Sequence, residues 1–380
     1  MHSTTSTLTE VSTAWTDADR EFMTRALELA RKGRGLVSPG PLVGCVIVDK
    51  FGEVVGEGFY VFEEVKHAET IALAQAGDRA LGGTAYVSLE PHAHHGRTSP
   101  CTDALISAGI KRVVAPIQDL NPNVSGRGFE HLRAAGVEVQ TGLLEEEAAR
   151  VNEAYLHYMR TGRPFVHVKL AVTLDGKIAT RTKDSRWVTG PESLKRVHEL
   201  RQQYDAILIG IGTALTDDPL LTDRSTLNRR RSLIRVILDD RLEIRDDSNL
   251  VSTAQHFPLV VFGNKEANPS KVRELEQKGV EVISNTDRDV NALLHELGRR
   301  FVVSLLVEGG AEVAGAFFDA RLVNKVTFFI APKVVGGREA TTAVGGLGVE
   351  RMKDALKLEH VEVTQHGEDI EVTGYPIIEE

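Results

Sequence analysis

The chain has 380 residues, 42% of them hydrophobic and 26% charged, with 34 glycines and a formal net charge of -9. That length suits two domains of ordinary size, each able to bury a core, and the composition excludes a disordered or fibrous chain. The acidic balance argues against a broad nucleic-acid footprint and favours a small-molecule substrate. Two cysteines are too few for a disulfide scaffold, so a reducing cytoplasm fits best.

Residues 1–16 are rich in Ser and Thr, lack Lys and Arg, and have no apolar run, so they read as a frayed tail rather than a secretory signal. No later stretch approaches the ~20 apolar residues that span a bilayer. Thr16 or Asp17 is the expected N-cap of a packing helix carrying Phe22, Ala26, Leu27, Leu29 and Ala30. Residues 42–48 read as a strand, 49–52 as a hairpin turn and 53–59 as the returning strand. Cys45, inside the first, is expected to be a buried apolar thiol.

His67 opens the next helical pattern, with Glu69 in its first turn near the positive helix end. A short strand over 84–89 leads into the loop 91–100, which delivers Cys101 to the start of a helix over 102–108. A helix N-terminus and a metal are both expected to lower the thiol pKa. Strands at 112–115 and 137–139, with a helix over 128–135, complete a layered β/α unit spanning 17–142. An amphipathic stretch, 143–159, and the turn Thr161-Gly162-Arg163-Pro164 form a connector over 143–164.

From 165 to 380 the pattern restarts. Strand-like runs at 165–172, 206–210, 233–238, 259–262, 280–283, 301–307 and 325–330 alternate with helical segments, which implies a mostly parallel sheet with covered faces. Runs at 359–364 and 369–375 are expected to add an antiparallel hairpin.

His67-Ala68-Glu69 followed by Pro100-Cys101 is the signature of zinc deaminases, in which His and thiolate ligands hold a metal and the Glu shuttles protons. Here His67, His92 and Cys101 are the expected Zn2+ ligands, with His92 in the place of a first Cys, and Glu69 is the expected catalytic acid/base. Imidazole is as acceptable a donor as thiolate. The bland alternative, that these are surface histidines among the 13 in the chain, leaves the joint occurrence of the motifs unexplained.

The run Leu89-Glu90-Pro91 through His95-Gly96-Arg97-Thr98 to Pro100-Cys101-Thr102 is narrower than a generic deaminase motif. With Lys169-Leu170-Ala171, Thr173 through Ala179, Ser185-Arg186-Trp187-Val188-Thr189-Gly190, Asp205 through Thr213, Asp217-Asp218-Pro219, Glu308-Gly309-Gly310-Ala311 and Ala331-Pro332-Lys333 in order, the chain resembles the bifunctional pyrimidine deaminase/reductase family of riboflavin biosynthesis. The resemblance implies an α/β architecture: a cytidine-deaminase-like N-terminal domain, then a dihydrofolate-reductase-like C-terminal domain. It implies removal of an amino group from a diaminopyrimidinone ribosyl phosphate, then reduction of the ribosyl side chain to ribityl with NADPH. Carried over residue by residue, Ala171, Trp187, Thr213, Asp217, Gly309, Gly310, Ala311 and Gly315 are expected to contact NADPH. Ser185, Arg201, Leu221, Arg224 and Glu308 are expected to hold the substrate, the two arginines on its phosphate. Trp187 could by itself be a core aromatic, and Asp175 and Lys177 shape a turn.

Departures concentrate in the first half. Besides His92, Gly40 stands where the family has an Asn that bonds the base, and 62–66 lacks the usual glycine. A lost amide costs ~1–3 kcal/mol of binding. Three readings follow: a bifunctional enzyme with a His/His/Cys zinc site; a reductase with a degenerate, non-catalytic deaminase domain, which could serve packing or oligomerisation; and, disfavoured by the acidic balance, a nucleic-acid module. Asn324 replaces a usual Asp.

Overall fold

The computed structural model describes residues 15–377 other than 64–65, 97–98, 225–227, 265, 267 and 285–288. Arg97 and Thr98, most of the N-terminal tail and two of the five residues of the 62–66 departure therefore lie outside the described residues. The chain divides into two compact units, 1–33 with 42–152 and 34–41 with 153–380.

The first unit runs α1 (Asp17–Arg31), β1 (Gly44–Val48), β2 (Val54–Phe59), α2 (Ala68–Ala76), β3 (Thr84–Val87), α3 (Cys101–Ser107), β4 (Arg112–Val114), α4 (Arg127–Ala134), β5 (Glu138–Gln140) and α5 (Glu145–Val151). Thr16 caps α1, exchanging hydrogen bonds with Asp19 in a capping box, as the sequence pattern requires. The sheet order is β2-β1-β3-β4-β5, with β1 antiparallel to β2 and β3 and the rest parallel. The helix α2 lies directly on β2 because Gly56 and Gly58 have no side chains. A Cβ on either would come within 2.0 and 2.3 Å of the carbonyl oxygens of Ala72 and Ala68. That close approach sets the height of the α2 N-terminus, where His67 and Glu69 sit. Cys45 is fully buried in the apolar cluster with Ile47, Ala68 and Val87, as expected of it.

The expected amphipathic stretch 143–159 is not one helix. It breaks at Asn152, whose buried side chain accepts from Leu42 N at 2.8 Å and donates to Leu42 O at 2.9 Å, so α5 ends and α6 (Glu153–Thr161) begins. A side chain that satisfies another segment's backbone competes with the helical ladder at that point.

The second unit continues with β6 (Phe165–Thr173), β7 (Lys177–Ala179), α7 (Pro191–Gln203), β8 (Ala206–Gly210), α8 (Ile211–Asp217), β9 (Ile234–Leu238), α9 (Asn249–Ser252), β10 (Leu259–Gly263), α10 (Pro269–Gln277), β11 (Val280–Ser284), α11 (Val290–Arg299), β12 (Ser304–Val307), α12 (Ala311–Asp319), β13 (Lys325–Ala331), β14 (Thr341–Thr342), β15 (Leu358–His366) and β16 (Asp369–Pro376). Nine strands form one sheet in the order β11-β10-β9-β8-β12-β6-β13-β16-β15. It is parallel up to β13 and antiparallel at the terminal hairpin. The pair β7 and β14, which periodicity did not predict, makes a separate ribbon.

The chain moves outward from β8 to β11, then β12 returns between β8 and β6. Such a reversal opens a crevice beyond the carboxyl ends of the strands, where ligands bind in open α/β sheets. Asn324 does an acceptor's work as an Asp could: its Oδ1 takes Val166 N at 2.8 Å. Among the described residues, no helix is long and apolar enough to cross a membrane.

Candidate active sites

In the first unit the residues converge from three elements. His67 is the N-cap of α2, Cys101 is the first residue of α3, and His92 lies in the loop between β3 and α3. The loop is pinned at both ends. Glu90, buried, accepts from Asp119 N at 3.1 Å, Gly126 N at 2.9 Å and Gly128 N at 2.9 Å. At the other end Thr102 N and Oγ1 donate to His92 O at 3.3 and 3.4 Å, tying the His92 backbone to the turn that carries Cys101. Glu90 is thus a scaffold residue whose importance the Glu-Pro motif hinted at without revealing. Glu90→Ala strands two buried donors and one part-buried one, at about 1–3 kcal/mol for each buried donor. Its expected result is a first unit several kcal/mol less stable in urea titration, with loss of bound metal.

The ligand atoms of His67, His92 and Cys101 lie within 4.8 Å of one another. In a tetrahedral zinc site donors stand roughly 3.5 Å apart, so the three need close up by no more than about 1.3 Å to hold the ion and leave one position open. The His67 and His92 rings are 4.5 Å apart by centroid, and Tyr60 packs 4.9 Å from His67. Burial and then the neighbouring histidines His67, His94 and His95 push His92 down to about 4, so its imidazole is neutral and its lone pair available at physiological pH. Cys101 sits between opposing influences. Burial first, and then the adjacent Glu69 carboxylate, raise its thiol well above the usual range. A bound metal would deprotonate it outright.

Glu69 is buried at 3% exposure and hydrogen-bonded to Cys101, while its Oε2 has no hydrogen-bond partner among the described residues. A buried carboxylate oxygen left unmade is costly, which points to an acceptor role toward a group the site receives.

In the second unit, Arg201 on α7 grips Glu308, just past β12, with both prongs: Nε to Oε1 at 2.6 Å and Nη2 to Oε2 at 2.8 Å. Lys169 Nζ lies 3.6 Å from the same carboxylate. Burial alone would raise Glu308, but Arg201 and Lys169 outweigh it and hold the carboxyl at about 2. Burial lowers Lys169 from the usual lysine range while Glu308 opposes that shift. Sequence reading quoted Lys169 in a motif without assigning it a role. The available signal was a cation in a nine-residue strand, β6, that is otherwise almost wholly apolar.

The cofactor candidates gather beside this cluster. Gly309 has a φ of +115°, a conformation that favours glycine, and Gly310 is the N-cap of α12. A Cβ on Gly310 would stand 3.3 Å from Thr213 Oγ1, so these two candidates are neighbours. Two helix N-termini, those of α8 and α12, therefore open from adjacent parallel strands, a fit for cofactor phosphate. Ala311 is buried. Gly315 has a packing reason to be glycine, because a Cβ there would come within 2.4 Å of the Gly345 backbone. Ser185 Oγ donates to Asp217 Oδ1 at 2.9 Å, joining a substrate candidate to a cofactor candidate. Trp187 is 68% exposed, which removes the core reading for it. Ala171 is half-buried against the cluster of Val197 and Leu200. Leu221 is buried in the apolar cluster with Ile209 and Ile237, at φ +50°. Arg224 is exposed. Asp175 is a turn former, as read: it accepts from Thr173 Oγ1 at 2.6 Å and Gly336 N at 2.7 Å.

The family description RibD C-terminal domain matches residues 164–372, and the cytidine and deoxycytidylate deaminase zinc-binding region matches residues 16–116. The chain is 42% identical over 359 residues to riboflavin biosynthesis protein RibD of Actinobacillus pleuropneumoniae, across 93% of this chain and 94% of that one. It is 40% identical to RibD of Escherichia coli strain K12, across 93% and 98%. The solved Acinetobacter baumannii RibD, form 1, has a TM-score of 0.85 at 35% identity, over 95% of this chain and 99% of that chain. A Thermotoga maritima structure titled diaminohydroxyphosphoribosylaminopyrimidine deaminase/5-amino-6-(5-phosphoribosylamino)uracil reductase has a TM-score of 0.83 at 37% identity, over 95% and 99%. With both halves matched in order over nearly their whole length, the chain belongs to the RibD family, the bifunctional deaminase/reductases of riboflavin biosynthesis.

Proposed function

We propose that this chain performs two steps on one pyrimidine ribosyl phosphate: hydrolytic deamination in residues 17–142 and NADPH-dependent reduction in 165–380, with 143–164 as connector. The substrates are those named for the Thermotoga relative, a diaminohydroxyphosphoribosylaminopyrimidine and a 5-amino-6-(5-phosphoribosylamino)uracil. The single observation that carries both activities, rather than reduction alone, is the convergence of His67, His92 and Cys101 on one point beside the unpartnered Glu69 Oε2.

Zinc, when bound by those three residues, supplies the Lewis acidity that renders water nucleophilic at neutral pH. Glu69 takes the proton from that water and passes it to the departing amine, so the amino group leaves as ammonia. NADPH supplies the hydride in the second unit. Net reduction breaks the ribosyl C1–O4 bond, places the hydride on C1 and a proton on O4. Lys169, a buried ammonium whose pKa burial lowers, is the group suited to move that proton, and Glu308 holds it in place. Arg201 fixes Glu308. Ser185, Leu221 and Arg224 bind the substrate, and Ala171, Trp187, Thr213, Asp217, Gly309, Gly310, Ala311 and Gly315 the cofactor.

The enzyme works as a cytoplasmic protein on a small molecule, without nucleic acid or membrane, a placement its two buried free thiols support. Following ammonia release and NADPH oxidation separately in purified protein tests the proposal. Reduction without ammonia would reduce the chain to its second activity.

His92→Cys supplies an independent check on the ligand set. Loaded with Co2+, the native site has one thiolate and the variant two, so the thiolate-to-cobalt absorption should rise about twofold. Unchanged absorption would remove His92 from the metal.

A further inference from the structure

Trp187 is an indole that packing does not hold, since it is 68% exposed. An aromatic side chain that meets a cofactor from such a surface loses its freedom on binding, at a cost in affinity, unless the backbone that carries it is already fixed. Here the backbone is anchored on both sides. Before Trp187, Ser185 Oγ donates to Asp217 Oδ1 at 2.9 Å. After it, the Asp369 carboxylate at the start of β16 accepts from Gly190 N and from Ser193 Oγ, both at 2.7 Å, which secures the first turn of α7. Between those anchors, Lys333 Nζ donates to Trp187 O at 2.9 Å and to Val188 O at 2.8 Å. An ammonium has three donors. Two of them fix two successive peptide planes directly after the indole.

Lys333 is itself held. It lies two residues past β13, its carbonyl accepting from Leu174 N at 2.8 Å and its amide donating to Ala331 O at 2.7 Å. Asp175 then accepts from Val335 N at 3.1 Å and Gly336 N at 2.7 Å, tying the following residues to the turn after β6. The ammonium therefore reaches Trp187 from a base that is bonded to two other segments.

We propose that Lys333 is a positioning residue for cofactor binding: by holding the peptides after Trp187, it keeps the indole as a fixed plate on which a flat ring of NADPH stacks. This rests on the reading of Trp187 as a cofactor contact. A fixed plate serves the bound cofactor equally before and during hydride transfer, so its loss raises KM for NADPH and leaves kcat nearly unchanged. The effect comes from geometry rather than from charge attraction, so salt does not abolish it.

The test compares Lys333→Met and Lys333→Arg with the parent in the full chain, using NADPH and the phosphoribosylaminouracil. All three carry Trp15→Phe, so that Trp187 is the emitting one of the two tryptophans. A native denaturation midpoint establishes that each variant is folded. In Lys333→Met the expected result is a KM for NADPH about tenfold higher, with kcat within about twofold, at low and high salt alike. Emission from Trp187 in the free enzyme should also depolarise faster. Lys333→Arg, whose guanidinium can donate to both carbonyls, should stay within about threefold of the parent. A native KM in folded Lys333→Met, a loss carried by kcat, or a loss that closes at high salt overturns the proposal. If NADPH is oxidised by the parent without altering Trp187 emission, Trp187 is removed from the cofactor and the proposal falls with that reading. Equal quenching by NADPH in parent and Lys333→Met, at equal KM, leaves the reading of Trp187 standing and ends the role of Lys333 alone.

Discussion

Glu69→Gln is expected to lower ammonia release by about 10²–10⁴-fold, the usual worth of a positioned acid/base. The reason is local. Glu69 is the carboxylate hydrogen-bonded to Cys101, and its second oxygen is buried without a partner among the described residues. Gln keeps the volume and can hydrogen-bond the thiol, but it cannot take up a proton. Zinc content by atomic absorption should stay near one per chain, because His67, His92 and Cys101 are untouched. NADPH oxidation with the deaminated substrate should stay within about twofold, since the two reactions use separate residues. Ammonia release at the native rate would mean that another group moves the proton, or that the site deaminates by a different route.

Glu308→Gln should abolish NADPH oxidation and also destabilise the second unit, by roughly the 3–5 kcal/mol that breaking a buried ion pair costs. Two cations, Arg201 and Lys169, lean on this one carboxylate, and both side chains are largely buried at 15% and 10% exposure. Removing the anion leaves two like charges facing each other in a dry crevice. Denaturant titration reads the stability loss, and the first unit's ammonia release serves as control. The pH dependence has a definite sign. Glu308 is held at about 2, below its ordinary value of 4.5, so its contribution to stability is fully present above about pH 4.5 and drains away as pH falls toward 2. In Glu308→Gln that acid-side loss should be missing. A variant as stable as the native chain would show that the two cations find other partners.

Much of this was legible from residue order. Alternation of apolar runs with helical patterns identified the parallel sheet of the second unit, because strands buried on both faces read as continuous apolar stretches. Thr16 could be named as a cap because the bond it makes with Asp19 is local, three residues away. The metal donors could be named because their chemistry is scarce: among two cysteines, one follows a proline at a predicted helix start. The break at Asn152 was not legible, since its cause is Leu42, 110 residues earlier. Periodicity likewise missed the ribbon of β7 and β14, which is too short to carry a pattern.

By itself, then, the order of residues determined most of the elements that form, which side chains carry donors, and the family. Those are properties of neighbours in the chain and of residue chemistry. Only the tertiary structure decided what each polar group is free to do. Arg201 turned out to be engaged with Glu308, 107 residues away, and the Nδ1 of His198 to be buried without a hydrogen-bond partner among the described residues. Cys101 lies against Glu69, and its burial and that carboxylate raise its thiol. His92 stands close enough to His67 and Cys101 to complete a metal site. Each of these depends on distances between segments far apart in the chain, which packing sets and composition does not.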